Sequence, residues 1–226
     1  MTAIGKPLDR VDGLFKVTGQ ARYAGEFPED GLLHGSVVSS TVAKGRVLRI
    51  DASKALALPG VVAVIHHLNR PKIASYDDAF QDDDAADGSP FRPLYNDRVL
   101  YSGQPLALVL ADNLELARHA GSLVEIEYAC EDFETDLLAQ QEQAHASPQA
   151  PPKPRGNFQA EWAAAAVSLD LHYSTPIEHH NPMEPHASTV LYQPDGSLHI
   201  HDKTQGTQNC QAYVQKVFGL EKEQVR

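Results

Sequence analysis

The stretch from 104 to 129, "QPLALVLADNLELARHAGSLVEIEYA", constrains the fold more than any other part of the chain. Its first eight residues are an apolar run typical of a buried strand. Asp112 or Asn113 is suited to cap a following helix. The apolar face of that helix includes Leu116, Ala120 and Leu123. Residues 124–129 then alternate apolar side chains with glutamates, as in a half-buried strand. The stretch therefore predicts a strand–helix–strand (β-α-β) unit.

A similar succession comes earlier in the chain. "GSVVSSTVAKGRVLRID" predicts strands at about 35–41 and 46–50, separated by a turn at Lys44-Gly45. Asp51 is suited to N-cap the short helix of "ASKALAL", and Pro59-Gly60 ends that helix. "VVAVIHH" follows with the β-branched run of a buried strand. Two such β-α-β units with additional strands predict an α+β domain over residues 18–132.

The flanking segments differ from this domain in composition. Residues 1–17 are rich in glycine, proline and charge, which indicates an entering arm. Residues 133–156 contain four prolines within "SPQAPPKP", and this composition is typical of a linker. A second domain is predicted to begin near residue 157 and to continue through residue 226.

An aspartate-rich segment, "SYDDAFQDDDAADGSPFRP", occupies residues 75–93. It lacks periodicity, and we predict a solvated loop. A calcium site is the alternative, because carboxylates are calcium ligands. An EF-hand loop, however, places its acidic residues on alternate positions. Asp82 and Asp84 alternate, but the next alternate position is Ala86. The spacing therefore does not favour calcium.

The overall composition excludes some classes of function. A formal net charge of -11 disfavours nucleic acid and anionic membrane surfaces, because both recruit Lys and Arg. No apolar run approaches the roughly 18 residues of a membrane span. The beginning of the chain lacks the apolar core of a secretion signal. Cys130 and Cys210 do not form a cluster, which fits a reduced cytoplasmic protein without excluding an oxidising compartment.

The stretch "ASTVLYQPDGSLHIHDK" predicts a hairpin over residues 187–203, with Pro194 at the second position of a type I turn. Leu198 and Ile200 point to one face of its second strand, and His199 and His201 point to the other. We expect the apolar face to be buried and the histidine face to be exposed. Two histidines at this spacing can also chelate a metal, but no third ligand stands at a suitable spacing.

Three further histidines and a glutamate lie just before the hairpin. His179, His180 and His186 match no zinc pattern, since no second pair of ligands follows at a characteristic spacing. Glu184 lies in a proline-flanked turn, where its carboxylate needs either a partner or an exit to water. It can cap a local turn or line a cavity, and its sequence neighbourhood leaves both possibilities open.

A helix is predicted to begin at Gly206 or Thr207 and to end just before Gly219, because glycine is the usual residue after the last turn of a helix. Its apolar face holds Cys210, Tyr213, Val214, Val217 and Phe218. Gln205 therefore stands where a strand meets a helix N-terminus, a place that favours anionic or oxo ligands. The alternative is that Gln205 only caps the helix.

Four separated segments together resemble one protein family: "DRVDGLFKVTGQARYAGE" (9–26), "LYNDRVLYSGQPLALVLADNLELARHAGSLVEIEYA" (94–129), "NPMEPHAS" (181–188) and "TQGTQNCQAYVQKVFGLEKEQVR" (204–226). Their order is similar to that in the molybdenum-binding subunit of the xanthine dehydrogenase/aldehyde oxidase family. The bacterial aldehyde-oxidising branch has "MEPHAS" at this place. The resemblance covers nearly the whole chain except the aspartate-rich loop and the linker.

The resemblance implies a fold and a function. Residues 18–132 would be the a/b hammerhead domain, and 157–226 the beginning of the molybdopterin-binding domain. The complete enzyme would hydroxylate an aldehyde or an aromatic heterocycle with oxygen from water. It would use a molybdenum–molybdopterin cofactor, with the dinucleotide form expected. Electrons would leave through iron–sulfur clusters and FAD on partner subunits. The expected location is the cytoplasm, and the alternative is the periplasm, reached together with a partner subunit that carries an export signal.

The resemblance also assigns residues. Gln205 matches the family glutamine that donates a hydrogen bond to an oxo ligand of molybdenum. The position of Glu184 and His186 implies that they line the pocket or support its walls. The family's glycine-rich cofactor segment and catalytic glutamate lie beyond the matched region. The resemblance therefore implies that the chain is the N-terminal fragment of a longer subunit, that it contains no catalytic residue, and that it should be inactive alone. Two alternatives remain: a non-catalytic interaction module derived from this family, and a small metal-binding protein that uses the histidines.

Overall fold

A computed structural model describes residues 4–72, 93–145 and 155–226. The predicted aspartate-rich loop lies outside the described residues except for Pro93, and so does the proline-rich part of the predicted linker. The described residues form two compact units: 4–72, 93–133 and 184–226 make up the first, and 134–145 and 155–183 the second. No helix in these stretches combines the length and apolar composition that a bilayer crossing requires.

The described elements follow one another in this chain order: α1 (Gly13–Val17), β1 (His34–Ser39), β2 (Gly45–Asp51), α2 (Ser53–Leu56), β3 (Val61–His66), β4 (Arg98–Val99), β5 (Pro105–Ala111), α3 (Leu114–Ser122), β6 (Glu125–Cys130), α4 (Phe158–Ala164), β7 (Ser188–Tyr192), β8 (Leu198–Asp202) and α5 (Thr207–Phe218). Short 3₁₀ turns occur at Gln141–Gln143 and Lys222–Gln224. The strands and helices predicted between residues 35 and 129 are all present, and their observed ends differ from the predicted ends by one to three residues.

The two predicted β-α-β units need a correction in their topology. One sheet has the strand order β1-β5-β3 and the other β4-β2-β6, and every pairing is antiparallel. Each helix therefore connects strands of different sheets: α2 joins β2 to β3, and α3 joins β5 to β6. Antiparallel sheets can leave one face in water. The alternating burial along β1 and β6 agrees with that arrangement.

The core consists of small side chains. Ala55, Val64, Ala107, Val109 and Ala120 form one buried cluster between β5, β3 and the two helices. The predicted apolar face of α3 is confirmed, because Ala120 is fully buried and Leu123 packs against this cluster. A second cluster joins the other sheet to β5 through Val47, Val99 and Leu106. The abundance of alanine lets helix and strand backbones approach closely.

Local capping is confirmed in one helix and corrected in another. Asn113 caps α3, since its side chain accepts a hydrogen bond from the Leu116 N–H at 2.8 Å. At α2 the N-cap is Ala52 rather than the predicted Asp51, which is still the last residue of β2. Asp51 Oδ1 nevertheless accepts from the Ser53 N–H at 2.9 Å. Hydrogen bonds from Ser53, with the nearby Arg49, hold the pKa of Asp51 below its ordinary value.

The predicted hairpin and final helix are confirmed. β7 and β8 pair antiparallel, from Ser188 opposite Asp202 to Tyr192 opposite Leu198. Their turn closes with a 2.9 Å hydrogen bond from the Gly196 N–H to the Gln193 carbonyl, which places Pro194 at the second position. Helix α5 ends at Gly219, whose φ of 65° is left-handed. Val225 and Arg226 pair with β8 in parallel and extend this sheet.

The second unit contains little regular structure in its described part. Asn157 caps α4 by accepting a hydrogen bond from the Ala160 N–H at 3.2 Å. Phe158 and Trp162 contact each other one turn apart on this helix, with ring centroids 5.5 Å apart. Neither helix nor strand is present from residue 166 to residue 183.

Candidate functional site

Gln205 lies in the short connection between β8, which ends at Asp202, and α5, which begins at Thr207. The N-cap of α5 is Gly206, in an extended conformation, and no side chain provides a capping hydrogen bond there. Gln205 is exposed, and among the hydrogen bonds of the described residues none involves its side chain. The structure therefore argues against the alternative in which Gln205 only caps the helix.

The beginning of α5 offers several unused donors. The helical ladder begins with the Cys210 N–H, which donates to the Gly206 carbonyl at 2.9 Å. The N–H groups of the first turn have no acceptor within a helix, and the positive end of the helix dipole lies there. A neutral primary amide on Gln205 adds two donors without adding charge. Together they can bind an oxo or anionic group without a cationic side chain.

The connection that carries Gln205 is held at its ends. Thr204 Oγ1 accepts a hydrogen bond from the Gly206 N–H at 3.2 Å. Asp202 accepts from the Ser188 hydroxyl on β7 and from the Cys210 thiol on α5, the latter with a sulfur–oxygen distance of 3.6 Å. Burial, followed by the negative charge of Asp202, raises the pKa of the Cys210 thiol. The thiol is therefore protonated and able to donate at neutral pH.

Glu184 has a partner far away in the sequence. Its Oε1 accepts a hydrogen bond from the backbone N–H of Ala24 at 3.0 Å. The carbonyl of the same Ala24 accepts from the hydroxyl of Thr189 at 2.8 Å, and both Ala24 and Thr189 are buried. Residues 184 and 189 thus hold the polar groups of one residue from the beginning of the chain. Glu184 neither caps a local turn nor contacts Gln205 in the described structure. Its hydrogen bond joins the segment before the hairpin to Ala24.

The two faces of the hairpin do not divide as predicted, because every residue of β8 is half-buried and the histidine face is covered as well. His201 stacks on Phe27, with ring centroids 3.6 Å apart and planes 4° apart. Thr189, opposite His201 in the pairing, is buried on the same face. On the other face Val190 is 45% and Tyr192 76% exposed. The residues around Ala24 cover the histidine face, whereas α5 covers the apolar face only in part.

The apolar face instead borders an open groove of about 730 Å³ between the hairpin and α5. Its lining includes Tyr192, Ile200, Tyr213, Val214 and Phe218. The predicted apolar face of α5 is confirmed only in part, because Val217 is buried but Phe218 is 58% exposed.

The three histidines just before the hairpin, His179, His180 and His186, are exposed. Among the described residues, no hydrogen bond joins His186 to Gln205 or Glu184. Within 4–72, 93–145 and 155–226, no group of three or more His, Cys, Asp and Glu side chains is arranged to hold a metal ion. The two cysteines are free, with Cys130 exposed.

Sequence reasoning missed Ala24, Ser188, Thr189 and Asp202. For Asp202 a signal was available, because an acidic residue ended a strand of otherwise apolar and histidine residues three positions before Gln205. Ala24 and Thr189 gave no such signal. Their interaction depends on two segments that meet only in the folded chain.

The contact between Glu184 and Ala24 can be tested directly. We expect Glu184→Ala to lower the free energy of unfolding by about 1 kcal/mol, because the Ala24 N–H loses a charged acceptor at a partly buried position. Hydrogen exchange should speed up at the Ala24 amide. Glu184→Gln retains an oxygen acceptor and should preserve most of the protection. Unchanged exchange at Ala24 in the alanine variant would contradict the contact.

Comparison with known proteins places these features in one family. Residues 18–132 match the family model described as "Aldehyde oxidase and xanthine dehydrogenase, a/b hammerhead domain", and residues 140–226 match "Molybdopterin cofactor-binding domain". The aldehyde oxidoreductase molybdenum-binding subunit of Escherichia coli (strain K12) is 33% identical over the whole chain. The nicotinate dehydrogenase large molybdopterin subunit of Eubacterium barkeri is 27% identical over 99% of the chain.

Solved structures with the same fold include the aldehyde oxidoreductase of Desulfovibrio gigas, with a TM-score of 0.76 and 24% identity over 96% of this chain and 25% of that one. Quinoline 2-oxidoreductase of Pseudomonas putida 86 has a TM-score of 0.78 and 22% identity over 99% of this chain and 30% of that one. The chain spans 30% of the length of the Escherichia coli relative and 52% of the Eubacterium barkeri one. Its fold is thus the a/b hammerhead domain followed by the start of the molybdopterin-binding domain, and the chain belongs to the aldehyde oxidase and xanthine dehydrogenase family.

Proposed function

We propose that the chain is part of a molybdenum hydroxylase, an oxidoreductase that oxidises aldehydes or aromatic heterocycles with oxygen derived from water. Family membership supports this proposal, together with relatives named for aldehyde and nicotinate oxidation. Because the chain spans 30% of the Escherichia coli relative, the activity is proposed for the complete enzyme. No catalytic residue is proposed among the residues of this chain.

The proposal rests on the strand-to-helix junction, the connection of residues 203–206 between β8 and α5 that contains Gln205. A molybdenum–pterin cofactor presents oxo and anionic groups, and when bound it supplies the two-electron chemistry. The junction has features suited to such groups: the neutral amide of Gln205, a helix beginning without a side-chain cap, and an exposed position. Gln205 would donate a hydrogen bond to an oxo ligand of the molybdenum. The first turn of α5 would add favourable electrostatics without placing a competing cation nearby.

Glu184 and His186 would support or line the pocket and would not themselves take part in the contact between Gln205 and the oxo ligand. The hydrogen bond from Ala24 suits Glu184 to a supporting role, because it holds the residues that lead into the hairpin. His186 is exposed two residues later and would line the wall of the pocket in the complete enzyme. Neither residue would bind the metal directly.

The rest of the assembly is proposed from the family alone. Iron–sulfur and FAD subunits would accept the electrons, and the pterin would carry a dinucleotide. Within this chain, residues 1–17 would be an arm, 18–132 the hammerhead domain, 133–156 a linker and 157–226 the first part of the molybdopterin-binding domain. The cytoplasm is the proposed location, with the periplasm as the alternative when a partner subunit directs export.

The proposal can be tested on the complex isolated through an affinity tag on this gene product in its native host. We expect about one molybdenum per complex by metal analysis, and dye reduction that depends on an added aldehyde or aromatic heterocycle. Co-purified partner subunits without molybdenum and without such activity would instead support a non-catalytic interaction module.

The isolated 226-residue chain provides a further comparison. We expect it to retain far less than one molybdenum per chain after desalting, because Gln205 and the first turn of α5 supply only a few of the contacts that a large cofactor needs. Zinc and nickel should also be lost. Stoichiometric molybdenum on the isolated chain would show that these residues bind the cofactor unaided and would overturn this expectation.

A further inference from the structure

We propose that Asp202 is the positioning residue for Gln205, holding the strand-to-helix junction in one conformation by hydrogen bonds to two other elements. This inference rests on the proposed function, in which Gln205 contacts the molybdenum cofactor. Asp202 itself is three residues away and would not touch the cofactor.

The carboxylate of Asp202 accepts hydrogen bonds from two other elements. Asp202 is the last residue of β8, and one of its oxygens accepts from Ser188 directly across the strand pair. The other oxygen accepts from the Cys210 thiol at 3.6 Å. A single side chain thus joins β7, β8 and α5, the three elements that surround the junction.

The segment that contains Gln205 lies between Asp202 and Cys210. Cys210 lies one turn into α5, and its N–H donates to Gly206, the residue after Gln205. The four residues 203–206 are therefore fixed at one end by Asp202 and at the other by the turn that ends at Cys210. Thr204 and Gly206 add a hydrogen bond inside the segment. A shift of α5 away from β8 would break the thiol–carboxylate contact.

Open space beside the junction increases its dependence on hydrogen bonds. A cavity of about 150 Å³ lies beside the junction, and its lining includes Asp202, Thr204, Thr207 and Cys210. Atoms that border this space have fewer protein atoms around them, and so packing contacts restrain them less. The segment would have room to move if the hydrogen bonds to Asp202 were removed. The Cys210 thiol remains able to donate at neutral pH, because burial raises its pKa.

The test compares Asp202→Ala, Cys210→Ala and Cys210→Ser in the tagged complex. We expect hydrogen exchange at the two hydrogen-bonded amides of this segment, Gly206 and Cys210, to speed up about tenfold in both alanine variants. It should remain near wild type in Cys210→Ser, because serine also donates to the carboxylate. Both Cys210 variants lack the sulfur atom, and only the serine variant retains a hydrogen-bond donor. The difference in exchange between them therefore measures the effect of the hydrogen bond to Asp202. Exchange in β5 serves as the internal reference for folding.

A second readout connects the junction to the cofactor. In the same complexes, the molybdenum(V) electron paramagnetic resonance spectrum should change in both alanine variants and return in Cys210→Ser, with kcat lowered about tenfold and KM nearly unchanged. Unchanged exchange in both alanine variants would overturn the proposal. Faster exchange with an unaltered spectrum would also overturn the positioning role of Asp202. The variant Gln205→Ala then shows whether the proposed contact between Gln205 and the cofactor fails as well. A spectral change in Gln205→Ala leaves the proposed function standing, whereas no change removes the role of Gln205 as well.

Discussion

Gln205→Ala should lower the turnover of the complete enzyme on the order of 10²-fold, which is the loss typical for one preorganised donor at a centre where charge develops. The amide is neutral, exposed and unengaged by other side chains in the described structure, so its removal should leave folding intact. Gln205→Glu should reduce turnover further, because it replaces donors by a negative charge beside oxo groups. Steady-state kinetics with an aldehyde substrate would measure both effects.

The control for this prediction is Gln159→Ala, which removes an exposed glutamine from α4. It should leave kcat and KM within twofold of wild type. Molybdenum content must be measured in every variant, so that loss of cofactor is distinguished from slower turnover on a bound cofactor. Wild-type turnover in Gln205→Ala at full molybdenum content would exclude the proposed contact.

The residues of the junction could be predicted because their signals are local. The Pro-Asp-Gly turn, the apolar spacing from Cys210 onward and the glycine at 219 fix the ends of the hairpin and of α5. Those ends in turn place Gln205 between a strand and a helix. Each of these signals spans fewer than about ten residues, over which backbone preferences decide the conformation.

The partners of the strands could not be predicted in the same way. β2 and β3 are close in the sequence and share α2, yet they belong to different sheets. The choice depends on which faces become buried together. Val47 of β2 packs with Val99 and Leu106, whereas Val64 of β3 packs with Val109. Apolar alternation shows that a strand has an inner face, but it does not say against which other strand that face lies.

The supporting contacts of the site were hidden for a related reason. Alternation correctly divided β8 into two faces but did not show that Phe27 would cover the one with His201. Glu184 was expected to need a partner, and that partner is a backbone N–H 160 residues earlier. Backbone groups are the same at every position, so the sequence contains no signal for such a partner.

Gly45→Ala should be the most destabilising of the substitutions considered, lowering the free energy of unfolding by roughly 3 kcal/mol. Gly45 begins β2 and pairs with Val99 on one side and Cys130 on the other. A Cβ there would clash with the Ala129 carbonyl oxygen and lie 3.2 Å from the Cys130 Cα. Both are backbone atoms of β6, so a side-chain rotation cannot relieve the overlap. The φ of 155° adds strain, because residues with a side chain rarely adopt it.

Gly121→Ala is the matched control, because the same methyl group enters a different environment. Gly121 lies in α3, and the atom nearest to its added Cβ is Val38 Cγ2 at 3.6 Å, an ordinary contact. Alanine is the better helix former, so this variant should be neutral or more stable by about 0.5–1 kcal/mol. Urea denaturation monitored by circular dichroism would measure both variants. A loss below 1 kcal/mol in Gly45→Ala would mean that β2 and β6 separate easily, and the close pairing of the second sheet would then be wrong.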